Sequence, residues 1–143
     1  MTSLSELTFF VEGRPVPQGS KKAFKRGNQI VLVEANPALK DWRGVVSLKA
    51  QNELAQLQVI EPFTGPVGVE LNFFMPKPKT VKRDLPSVPP DLDKLVRAVF
   101  DALTDARVWT DDSLVCKLTA SKQYESFLPG VEIRVFDTPK ILE

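Results

Sequence analysis

Residues 89–103, Pro-Pro-Asp-Leu-Asp-Lys-Leu-Val-Arg-Ala-Val-Phe-Asp-Ala-Leu, constrain the fold of this chain more than any other stretch. Two prolines stop whatever precedes them. Leu92, Leu95, Val96, Val99, Phe100 and Leu103 then recur at the i, i+3, i+4, i+7, i+8, i+11 spacing of an amphipathic helix. That helix carries acid at its mouth. Mid-helix, Asp91 and Asp93 would point about 200° apart, so a shared site requires Asp91 at or before the N-cap. Pro90 permits this, because it biases Pro89 to an extended conformation and the chain turns into the helix only afterwards.

The rest of the chain supplies layers for the helix to pack on. Leu7 to Val11 is a β-prone run ended by Gly13, the predicted first strand. Residues 14–28, with Pro15, Pro17, Gly19 and Gly27, read as a loop whose lysines stand in solvent. Ile30 to Val33 reads as a second strand, able to pair back on the first. Asn36-Pro37 is a helix start, and Leu39, Trp42, Val46, Ala50, Leu54 and Leu57 continue it for roughly five turns. Val67, Val69, Leu71 and Phe73 alternate with Gly68, Glu70, Asn72 and Phe74 as in a half-buried strand. Residues 76–90 hold five prolines and four basic residues, a loop with little structure of its own. Leu114 to Ser121 and Val131 to Phe136 alternate as two more strands, with Pro129-Gly130 as the turn between them. The order β-β-α-β-α-β-β predicts an α+β fold: a mixed four- or five-stranded sheet with two helices packed on one face. Trp42, Trp109 and Cys116 are expected in the core.

A chain of 143 residues with 43% hydrophobic content suits one domain over residues 1–143. It has no run long enough to span a bilayer and no N-terminal signal, so a cytoplasmic location with no membrane partner is expected. One cysteine forms neither an internal disulfide nor a thiolate cage. The absence of histidine removes the commonest general base, the Ser-His-Asp and Cys-His arrangements and most zinc chemistry. Catalysis would then fall to carboxylates, lysine, tyrosine or a hard metal ion.

The net charge of +1 hides a segregation. Arg14, Lys21, Lys22, Lys25 and Arg26 form one acid-free basic stretch, and Lys77, Lys79, Lys82 and Arg83 form another. Residues 84–112 carry Asp84, Asp91, Asp93, Asp101, Asp105, Asp111 and Asp112 against Lys94, Arg97 and Arg107. Cations that hold a polyanion beside a carboxylate metal site would give this pattern.

Each feature also has a plainer reading. Asp91-x-Asp93 alone favours a capping role, since acid at a helix N-terminus stabilises it by roughly 0.5–2 kcal/mol. Asp111-Asp112 shifts the balance if the connection after the helix folds back. Clustered carboxylates repel one another, and ligation by oxygen alone selects Mg²⁺ or Mn²⁺. An EF-hand is excluded, because the segment after Asp93 is helical. Arg97 is either half of two i, i+4 ion pairs with Asp93 and Asp101 or a fixed charge for a scissile phosphate. Lys94 points elsewhere on the wheel than Asp93 and reads as a solvated lysine; Asp101 and Asp105 read as surface charges. Phe24 among the first basic stretch suits stacking on an unpaired base. Lys122 and Tyr124 are edge residues able to reach the same face.

Residues 90–103 followed by Trp109-Thr110-Asp111-Asp112 resemble the signature of RusA-type Holliday junction resolvases, Asp-Leu-Asp-Asn-Leu-x-Lys-x-x-x-Asp-Ala-Leu and then Trp-x-Asp-Asp, without gaps. The flanks resemble the family more loosely. The resemblance implies a RusA-like fold and a homodimeric, Mg²⁺-dependent endonuclease, with Mn²⁺ as an alternative ion, that resolves four-way DNA junctions by paired nicks. Asp91, Asp93 and Asp112 would be the metal-binding catalytic carboxylates, with Asp111 a neighbouring ligand and Arg97 a catalytic phosphate clamp. Lys21, Lys22, Lys25, Arg26, Lys77, Lys79, Lys82, Arg83 and Lys122 would hold DNA. Lys94 stands where the family has Asn, and Arg97 where it has Lys. Arg stays charged, so Arg97 can clamp a phosphate but not give a proton. The alternative readings are a non-cleaving branched or single-stranded DNA binding protein and a phosphoesterase acting on something smaller.

Overall fold

In the computed structural model the described residues are 4–19, 21–34 and 36–143, and the side chains of 21–24 and 32–34 lie outside them. The elements in order are β1 (Glu6–Glu12), β2 (Lys21–Arg26), β3 (Gln29–Glu34), α1 (Ala38–Gln56), β4 (Val67–Met75), α2 (Leu92–Asp105), β5 (Val115–Tyr124), β6 (Gly130–Phe136) and α3 (Thr138–Ile141). A short 3-10 turn, Asp112–Leu114, precedes β5.

Strands β1, β6, β4 and β5 form a mixed sheet in that order, antiparallel except for the parallel β4–β5 pair. Register aligns Phe9, Ile133, Leu71 and Ala120 in one row and Val11, Val131, Phe73 and Lys122 in the next. Because side chains alternate along a strand, both rows lie on one face. All these apolar residues but the half-buried Ala120 are buried, in one core with Leu39, Trp42, Val46 and Ala50 of α1 and Leu95, Val96, Val99 and Leu103 of α2. Both long helices therefore cover the same face, as the α+β expectation requires. On the opposite face Arg134 bridges strands by pairing with Glu6 and Glu70 and lies 4.4 Å from the Phe136 ring centroid.

Four expectations are corrected. Residues 21–26 are a strand, and β3 pairs with it in a separate two-stranded sheet instead of with β1. Strands β5 and β6 do not form a hairpin, because β4 lies between them. Cys116 is exposed. A register shift pairs Val67 with Val115 but Gly68 with Lys117, so Cys116 is skipped and the alternation after it is inverted. The 76–90 segment is irregular but tied down. Pro86 is buried, the Val81 amide donates to the Pro78 carbonyl, and the Lys77 amide donates to Ser126 Oγ.

Candidate active site

Asp91 is the N-cap of α2, with φ −68° and ψ 139°, and its carbonyl accepts from the Leu95 amide at 3.1 Å. Its side chain makes no capping hydrogen bond. The capping account of Asp91 thus fails at its central point, and the carboxylate is exposed at the mouth of the helix together with that of Asp93. Asp111 behaves in the opposite way. Its Oδ2 accepts from the Ser113 amide at 3.2 Å, and the Ser113 side chain, together with that amide, holds its carboxyl below the ordinary value of 3.8. Asp111 caps the turn that presents Asp112.

Lys94 is exposed, as its spacing predicts, and it has a neighbour that the spacing from Asp93 does not reveal. Counted from the N-cap it is i+3, and its Nζ stands 3.8 Å from Asp91 Oδ2. Arg97 forms no ion pair among the described residues, so the i, i+4 pairs with Asp93 and Asp101 do not form. The guanidinium is exposed one turn beyond Asp93.

Asp101 is the residue the sequence reading underrated. Burial pushes its carboxyl above the ordinary 3.8, Arg43 and Arg97 pull it down, and the charges of Asp112 and Asp105 add to the rise. The 3-10 turn that begins at Asp112 packs against α2, and the charge of Asp112 is felt at Asp101, two turns beyond Asp93. Asp93, Arg97 and Asp101 recur every fourth residue and share one face. That spacing was the available signal. Asp105 continues the stripe and pairs with Arg43 at 2.8 Å.

The basic residues divide. Lys25 and Arg26 are exposed at the end of β2, beside the Gly27-Asn28 turn, whereas the side chains of Lys21, Lys22 and Phe24 lie outside the described residues. The hairpin springs from the acidic mouth, because the Gln18 amide donates to the Lys94 carbonyl at 2.9 Å. Gln18 Oε1 is buried without a partner among the described residues, a feature no sequence pattern announces. Lys79 and Lys82 are exposed. Arg83 donates to the Tyr124 hydroxyl at 2.8 Å, and Lys77 Nζ sits 5.5 Å from the Tyr124 ring centroid. Lys122, expected to hold DNA, donates from Nζ to the carbonyls of Val88 and Pro90, both at 2.8 Å. The reason is register: β5 runs parallel to β4 with Lys122 opposite Phe73, which aims it at the helix side of the sheet.

In kind, the donor set fits a hard divalent cation: exposed carboxylates at Asp91, Asp93 and Asp112, with no histidine and one cysteine in the chain. It is not a preformed cage. Among the described residues no three acidic, histidine or cysteine side chains come together to hold a metal, a correction to the expected cluster of three or four carboxylates. Among them, too, no helix is long and apolar enough to cross a membrane.

Comparison with known proteins gives this geometry a setting. Over 141 residues the chain is 29% identical to "Uncharacterized protein YqaN" of Bacillus subtilis (strain 168), covering 90% of this chain and 94% of that one. Residues 12–136 match the family model "Endodeoxyribonuclease RusA", a span that includes β2 to β6, both long helices and every aspartate discussed above. Nucleases of that family act on junction DNA and generally depend on a divalent metal ion. This chain, with its α2 mouth and returning Asp112, belongs to the RusA endodeoxyribonuclease family.

Proposed function

We propose that this protein is a divalent-metal-dependent endodeoxyribonuclease that resolves four-way DNA junctions by paired symmetric nicks, as a homodimer in the cytoplasm. The observation that carries this reading is the state of Asp91 and Asp93, two exposed carboxylates at one helix mouth with no capping duty for Asp91. Asp91, Asp93 and Asp112 would hold Mg²⁺, or Mn²⁺ in its place. Such an ion, when bound, lowers the pKa of a bound water and offsets charge at the phosphoryl centre.

The chain's own residues do the remaining work. Arg97 holds the scissile phosphate with a planar, permanently charged fork. Lys25, Arg26, Lys79 and Lys82 contact the backbone on either side and steer the polyanion in. A two-fold dimer would present one such site to each of two opposed strands of a two-fold junction.

The test is a synthetic four-way junction incubated with Mg²⁺, using the parent chain and Asp93→Asn. Paired nicks at symmetric positions by the parent, and their loss in the variant with junction binding retained, are expected. Binding without Mg²⁺- or Mn²⁺-dependent nicking by the parent would favour a non-cleaving DNA binding protein. Equal cleavage of a linear duplex would remove junction selectivity.

A further inference from the structure

Lys122 is a half-buried lysine at the end of an otherwise apolar row, Val11, Val131, Phe73 and Lys122, on the helix-covered face of the sheet. A charge placed there needs acceptors, and its Nζ finds the carbonyls of Val88 and Pro90 at 2.8 Å each. Those two carbonyls bracket the Pro89-Pro90 pair and end one bond short of Asp91. Neither proline has an amide hydrogen, so this segment has no ladder of its own and depends on an outside donor to fix its path.

From the structure we propose that Lys122 is a positioning residue for the reaction, holding the backbone that aims the Asp91 carboxylate. This rests on the endonuclease reading above. Asp91 is clamped from two sides. Upstream, Lys122 fixes the carbonyl of the residue bonded to it; downstream, the Gln18 amide fixes the Lys94 carbonyl in the first turn of α2. The parallel β4–β5 pairing makes the upstream clamp possible, since it brings a strand that follows α2 in sequence back beside the loop that precedes it. A phosphate contact is the competing role for a lysine in a DNA-cutting protein. It is disfavoured because two of the three ammonium hydrogens are already directed at carbonyls.

The experiment compares the parent, Lys122→Met and Lys122→Arg. On a four-way junction, Lys122→Met is expected to keep its affinity and salt dependence within about two-fold and lose about 10–100-fold in cleavage at saturating substrate, as misplaced catalytic groups do. Lys122→Arg, which keeps donors on a long stem, should recover part of the rate. Without DNA or metal, amide hydrogen exchange at Leu95, whose amide donates to the Asp91 carbonyl, should speed up in Lys122→Met while exchange in β4 and β6 stays slow. Unchanged exchange at Leu95 would overturn the proposal whether or not the protein cuts DNA. So would parental cleavage by Lys122→Met, or a loss of affinity with a salt slope smaller by about one, the mark of a phosphate contact. If the parent itself does not cut, the endonuclease reading fails, and the exchange measurement still decides whether Lys122 sets the Asp91 backbone.

Discussion

The indole nitrogen of Trp109 donates to Thr104 Oγ1 at 2.7 Å, and the same hydroxyl donates to the Phe100 carbonyl at 3.0 Å. Trp109 is 1% exposed and meets Phe100 edge-on, with centroids 5.4 Å apart. The last turn of α2 and the connection that returns Asp112 are thereby locked to each other. Thr104→Val keeps the shape and removes the acceptor, leaving a buried N–H unpaired. A loss of about 1–3 kcal/mol is expected in denaturant unfolding followed by tryptophan fluorescence, with an unchanged slope against denaturant.

The two N-terminal acids should separate by stability. Asp91→Asn removes no capping bond, so its unfolding free energy is expected within about 0.5 kcal/mol of the parent. Asp111→Ala removes the acceptor for the Ser113 amide and should lower the melting temperature. Equal destabilisation by both would return Asp91 to a capping role.

Acid should destabilise the fold through Glu6 and Asp111. Arg134 holds the Glu6 carboxyl below its ordinary 4.5, with Lys140 assisting, and Ser113 lowers Asp111. For a lowered acid the stabilisation is complete above the unfolded value and is lost as pH falls through the folded one. Asp101 has the opposite sign. Its raised carboxyl costs stability at neutral pH, and that cost is relieved as pH falls through the raised folded value, fully so below the ordinary 3.8. Melting temperatures against pH should therefore show a shallower acid limb for Glu6→Gln. For Asp101→Asn they should show a gain at neutral pH that fades in acid.

Arg97 and its substitutions test the clamp in single-turnover cleavage. Arg97→Ala is expected to slow cutting by about 100-fold or more, and Arg97→Lys by about ten-fold at most, since charge survives but the fork does not. A parental rate for Arg97→Ala would leave the guanidinium without a role in the chemistry.

Gly130 tests the sheet. A Cβ there would run into the Val11 carbonyl oxygen and the ring of Phe10, and a backbone atom cannot swing aside. Gly130→Ala should cost about 1–3 kcal/mol by the same denaturant measurement. Gly68→Ala meets only the ring of Phe136, which can move at the expense of its contact with Arg134, so the smaller loss is expected there.

What could be read from the residues follows a physical divide. The α2 stripe of Leu92, Leu95, Val96, Val99, Phe100 and Leu103 is a local periodicity, and local periodicity survives without knowledge of partners. The same holds for β4 and for Trp42 and Trp109 in the core. Strand order and register are non-local. Nothing near Cys116 announces the bulge that exposes it, and nothing near Lys122 says that it lies opposite Phe73, facing Val88 and Pro90. Lys21 to Arg26 misled for a different reason: lysines with a single aromatic are poor strand formers, and only pairing with β3 makes them one. Asp101 was within reach, on the same face as Asp93 and Arg97, but only its proximity to Asp112 gives that face a meaning.

The pairing of β1 with β6 sets Glu6 opposite Phe136. On a ribosome, the first strand made has no neighbour in the main sheet until nearly all of the chain has emerged, and β6 must then enter between β1 and β4. The sheet is closed from its middle, by its last strand. Folding should consequently be slow for a chain of this size, limited by loop closure and not by α1 or α2, and a ribosome-stalled chain ending before residue 130 should hold β1 unprotected from protease.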